Sequence, residues 1–108
     1  MLMVLKKYEP IFQEAEEIAK KVDVSDIQDS FPCGGAHLYL NPAEEHSELG
    51  KALKLKNSDY NSLPYKLKLP IKFPVYGQCI AFDEKIGRKV REFLETKGIN
   101  ALIYSWVD

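Results

Sequence analysis

The chain of 108 residues has the size of one domain, with material for one hydrophobic core and none for a second. Its composition, 45% hydrophobic and 29% charged with six glycines and six prolines, is that of a globular protein and excludes disordered and collagen-like chains; no apolar run approaches the ~20 residues that cross a bilayer. Net charge is −1 but unevenly spread, with ten acids against four bases in residues 1–48 and six acids against eleven bases in residues 49–108.

The opening Met1-Leu2-Met3-Val4-Leu5 is too short for a signal-peptide core and runs straight into Lys6-Lys7, so a cytoplasmic location is expected. Two cysteines, Cys33 and Cys79, do not make a disulfide framework and read as reduced thiols.

Tyr8, Ile11, Phe12, Ala15, Ile18, Ala19 and Val22 recur at steps of three and four, which predicts an amphipathic helix. Pro10 suits the first helical position, where its missing N–H costs nothing, so the helix is expected to begin near Glu9. Residues 23–35 read as a loop, with Gly34-Gly35 as a turn. Ala36 to Leu40 reads as a short strand, with His37 and Tyr39 on one face and Ala36, Leu38 and Leu40 on the other.

Asn41-Pro42-Ala43-Glu44 is a helix start, with Asn41 as cap and Glu44 reaching back to it. The predicted helix runs to about Leu55 with His46, Leu49 and Leu53 on a thin stripe, and is expected at the surface. Gly50 in its middle should weaken it by about 1 kcal/mol relative to alanine. Further on, Tyr65, Leu67, Leu69, Ile71 and Phe73 alternate with Lys66, Lys68, Pro70, Lys72 and Pro74. Period two predicts an edge strand with one buried face, or a merely extended segment, since proline cannot donate to a ladder.

The last third reads as strand, helix, strand. Val75 to Phe82 is apolar, Asp83 is placed to cap a helix carrying Ile86, Val90, Phe93 and Leu94, and Gly98 suits the left-handed residue that ends it. Ile99 to Val107 is apolar on both faces, as a central strand is. Together these imply a βαβ unit with parallel strands. The expected architecture is therefore α+β: a single domain over 1–108, with a mixed sheet of three or four strands, helices mainly on one face and a ferredoxin-like βαβ unit in the C-terminal third.

No family signature is evident, and three groups of residues are candidates for chemistry. Cys33, His37, His46 and Cys79 are the right donors for a tetrahedral zinc, but their spacing is not that of a zinc finger. Cys33 with His37 or His46 as its base would make a thiol nucleophile, yet no orienting third group surrounds them. For both, the plainer role is a buried thiol and a half-exposed imidazole. Residues 51–72 carry six lysines against one acid, Asp59, with Tyr60 and Tyr65 interleaved, a composition suited to phosphate contacts and base stacking. A solvated edge strand would show the same lysines. Tyr76, Phe82, Tyr104 and Trp106 form a late aromatic group that fills a core or leaves a sheet face in need of a partner.

The chemistry favours a small cytoplasmic binding or regulatory module acting through protein–protein contact, with no cofactor and with self-association as a homodimer, rather than an enzyme. Nucleic-acid binding through 51–72 is the second reading, carried by Lys66, Lys68, Lys72 and Tyr65; Tyr76, Tyr104 and Trp106 are instead the candidates for contact with a partner chain or ligand. A thiol or zinc enzyme centred on Cys33 and His37 is the third.

Overall fold

The apolar stripe of the first helix reaches further toward the N-terminus than Pro10 alone implies. In the computed structural model, which describes residues 2–27, 34–74 and 80–107, helix α1 runs from Leu2 to Lys21 with Pro10 inside it. Pro10 lies on the exposed side, while Leu5 and Tyr8 continue the stripe and pack against the core ahead of Phe12, Ala15 and Ala19. Tertiary packing of those roughly two extra turns offsets the hydrogen bond that proline removes.

Strand β1 spans Gly34–Leu40, so the two glycines belong to the strand and do not form a turn before it. Asn41 caps as expected, its side chain accepting from the Ala43 N–H at 2.9 Å, but what it caps is a short 3-10 turn, Pro42–Glu44. The helix proper, α2 at Glu48–Lys56, starts anew from Ser47, whose hydroxyl accepts from the Gly50 N–H at 3.1 Å. Leu49, Ala52 and Leu53 are buried, so α2 is a core element and not the surface helix its thin stripe predicts.

The alternation at 65–74 buries Leu67, Leu69 and Ile71 as expected, but it leaves Tyr65 exposed and Phe73 half-buried and does not form a strand. Leu63–Lys66 make a single helical turn, α3, with Pro64 in its first turn. Beyond it Lys68 bridges to Tyr39, and the chain runs extended with Leu67, Leu69 and Ile71 buried. Leu67 O accepts from Leu40 N at 2.8 Å and Leu69 N donates to Leu38 O at 3.0 Å. Pro70 and Pro74 lack the N–H groups a longer ladder needs.

The C-terminal third departs most from expectation. Residues 80–82 are the first turn of helix α4, Ile80–Thr96, and residues 75–79 lie outside the described residues. Ile80 and Phe82 belong with Ile86, Val90 and Leu94 on the helix's buried side, so an apolar run readable as a strand is the start of a helical stripe. Asp83 is therefore inside the helix and not its cap. Strand β2, Ala101–Val107, pairs antiparallel with β1 in the register Gly34↔Val107 through Leu40↔Ala101. Among the described residues the fold is four helices and one two-stranded antiparallel sheet. The mixed sheet of three or four strands and the ferredoxin-like βαβ unit are thus overturned.

Helix α4 packs across both strands, with Gly87 against the Ile103 side chain, and α1 packs on α4 and α2. The core cluster accordingly draws on every layer, from Phe12 and Leu38 through Leu53, Leu67 and Leu69 to Ile86, Val90 and Leu94. Two ion pairs, Lys54–Glu45 and Lys85–Asp26, join the acidic half of the sequence to the basic half, which are therefore interleaved in the fold. No described helix is long and apolar enough to cross a membrane.

Gly50 acts opposite to its helix propensity. A Cβ there would stand against the carbonyl oxygens of Glu44 and Glu45, which the 3-10 turn holds over the start of α2. Gly50→Ala is expected to destabilise the fold by about 1–3 kcal/mol, the usual range for overpacking. Urea denaturation checks this as a lower midpoint at unchanged slope.

Candidate functional site

Strand alternation turns Gly35, His37 and Tyr39 to the side of the sheet away from α4, and the register sets Trp106, Tyr104 and Leu102 opposite them. The rings then meet on the diagonals of the ladder. His37 and Trp106 have centroids 5.0 Å apart, as do Tyr39 and Tyr104. Tyr65 of α3 stands edge-on to Tyr39 at 6.1 Å, and Tyr60 lies 6.2 Å beyond it. Six rings thus line one surface in two contacting groups, Tyr60–Tyr65–Tyr39–Tyr104 and His37–Trp106, which the register sets side by side at His37↔Tyr104. Tyr39 at its centre is 4% exposed, whereas Tyr60, Tyr65 and Trp106 are 43%, 51% and 43% exposed, so the border of the surface is open to a ligand.

Gly35 makes room for Trp106. A Cβ at Gly35 would come within 2.6 Å of the indole's Cζ2 and 3.0 Å of Asp83 Oδ2. Only a residue without a side chain lets the indole lie across the strand. Asp83 Oδ2 accepts from the Ala36 N–H at 3.2 Å and pins the same stretch of β1 to α4.

Lysines border the rings along the outer side of β1. The Asn57 amide, at the C-terminal end of α2, donates to the carbonyls of Lys66 at 3.0 Å and Lys68 at 3.1 Å, which fixes that segment beside Tyr39. A cleft of about 330 Å³ opens there, lined by His37, Tyr60, Lys56, Lys68 and Lys72, with Glu16 as an acidic residue of its wall. Among the described residues Lys56, Lys68 and Lys72 make no ion pair, while Lys54 is taken up by Glu45 at 3.6 Å.

Burial, then the positive charge of Lys68, holds His37 below its ordinary value of 6.5. Burial raises Tyr39, with the neighbouring Tyr65, Tyr60 and Tyr104 acting in the same direction. Burial also raises Asp83, against the opposing hydrogen bond from Ala36. The site is therefore a neutral, ring-lined surface with cations at its border. Its chemistry is stacking and anion contact.

Of the residues expected from sequence to bind, the structure brings Tyr65, Lys68, Tyr104 and Trp106 together, with Lys72 on the cleft wall. Lys66 ends α3 and does not line the cleft. Tyr76, Cys33 and Cys79 lie outside the described residues. His37 and His46 have separate surroundings: His37 packs against Trp106 with the rings tilted by 42°, while His46 is exposed with its Nε2 3.6 Å from Glu45 Oε1. No group of three or more potential metal ligands occurs among the described residues. Sequence reasoning missed Tyr39 and Asn57 as parts of the site, along with His37 as one of its rings, while Lys56 and Tyr60 lie in the 51–72 stretch it singled out. The shared strand face of His37 and Tyr39 was readable, but the register that adds Tyr104 and Trp106 was not.

The described residues form a small α+β fold. No protein-family model, curated protein or solved structure matches the chain.

His37 sets a testable pH dependence. Because its folded value lies below its unfolded one, the unfolded chain takes up the proton first, and protonation favours unfolding. The associated stability is complete above the unfolded value of 6.5 and is lost as pH falls below it toward the folded value. Asp83, raised on folding, has the opposite sign: its burial weighs against the fold as pH rises through its folded value. Urea midpoints measured against pH are expected to show the acid-side loss in the native chain and a smaller one in His37→Phe.

Proposed function

We propose that this protein binds single-stranded nucleic acid on the ring-bearing face of its sheet. The observation that carries the reading is the set of six rings on one surface, in two contacting groups set side by side by the strand register and bordered by lysines that make no ion pair with a described residue. Bases stack on Trp106, Tyr65 and Tyr60, the rings open at the border, while Lys56, Lys68 and Lys72 meet phosphates. A ring-bearing sheet face of this kind accepts splayed bases and disfavours a duplex, whose bases are already stacked on one another. The net charge of −1 and the few lysines involved point to moderate affinity and a shallow salt dependence. About three phosphate contacts correspond to a slope near −2 in log K against log salt for a single strand.

Trp106 is the chain's one tryptophan and so a built-in reporter of stacking. Titration with short single-stranded oligonucleotides at low salt is expected to quench its fluorescence. Trp106→Ala, followed by anisotropy of a labelled strand, should weaken binding about tenfold, since one stacked base contributes ~1–3 kcal/mol. Lys68→Ala should lower the salt slope by about 0.7. Absence of binding at low salt, or binding indifferent to both substitutions, would exclude this function.

A further inference from the structure

The two borders of the sheet are built differently. The outer side of β1 is covered by residues 67–69, and this segment and its continuation carry Lys68, Pro70, Lys72 and Pro74, residue types that deter further strand addition. Among the described residues the outer side of β2 has no such protection. Among the described residues no strand lies beyond it, and no backbone group outside β1 bonds to residues 101–107. Its sequence, Ala101-Leu-Ile-Tyr-Ser-Trp-Val107, contains no charge, no proline and no glycine. Seven uncharged residues rich in β-branched and aromatic side chains form a template for another strand. Ser105 and Trp106 are exposed at its far end.

We infer that β2 pairs with β2 of a second copy of this chain, antiparallel about a two-fold axis, to give a four-stranded sheet in the order β1-β2-β2-β1. Three features favour a copy of the chain as the occupant. Two-fold pairing sets the strand against itself, and a strand with no charged residue meets no like charge in doing so. Alternation then keeps Leu102, Tyr104 and Trp106 of both copies on the ring face and Ala101 and Ile103 of both on the helix side, so each apolar layer continues across the axis. The Lys68 bridge lies on the far side of β1, so the cationic borders of the two copies fall at opposite ends of the joined sheet and do not repel across the axis.

The test uses the full chain freed of nucleic acid. Native mass spectrometry and light scattering are expected to give twice the 12.4 kDa chain mass at high micromolar concentration. Amide exchange over 101–107 is expected to slow as concentration rises from low to high micromolar. Ser105→Lys places a charge on the exposed part of β2 and should weaken the dimer at least tenfold while leaving the circular dichroism spectrum unchanged. A monomeric mass at the highest concentration overturns the inference. So does a dimer whose 101–107 amides exchange no more slowly than in dilute solution, or one indifferent to Ser105→Lys.

Discussion

The antiparallel pairing of Gly34–Leu40 with Ala101–Val107 joins segments separated by most of the chain, and the remaining structure is arranged around that ladder. Its helix-facing side supplies Leu38, Leu40, Ala101 and Ile103 to the core, and α4 lies across both strands with Gly87 seated on Ile103. Closing so long a loop is entropically unfavourable, and the compensation comes from apolar burial on α4 and α1. A two-stranded sheet is marginal alone in water, so β1 and β2 persist because a helix layer covers one face and the 67–69 segment closes one border.

The same register creates the candidate site. Setting Gly35 opposite Trp106 leaves space for an indole to cross the strand, and the diagonal neighbours His37–Trp106 and Tyr39–Tyr104 follow from that alignment. A slip of one residue would send these rings into the helix layer and the leucines to solvent. The site is held by its surroundings as much as by its own residues. Asn57 fastens the lysine segment beside Tyr39, and Asp83 fastens the first half of β1 to α4.

Proline and glycine mark where local rules gave way to packing. Pro10 sits inside a helix because Leu5 and Tyr8 have a core to enter. Gly50, unfavourable by helix propensity, sits where the carbonyls of Glu44 and Glu45 leave no room for a Cβ. At 65–74 the alternating leucines are buried as their period demands, yet prolines and a lone bridge to Tyr39 leave the segment extended and outside the sheet. Each local signal was physically real, and tertiary contact decided its outcome.

From the amino-acid order alone came the α1 stripe, the strand at Ala36–Leu40 with His37 and Tyr39 on one side, the Asn41 cap, the period-two burial of Leu67, Leu69 and Ile71, and the left-handed Gly98 after α4 at φ 79°. These features depend on neighbours within a few positions, and residue chemistry specifies them directly. Only the tertiary structure decided that Ile80–Phe82 coil, that β2 runs antiparallel to β1, and that Tyr60, Tyr65, Tyr39, Tyr104, His37 and Trp106 share one surface. A short apolar run suits a strand or a helix equally well. Strand partners and ring neighbours are chosen by contacts between segments far apart in the chain, where no local period carries the information.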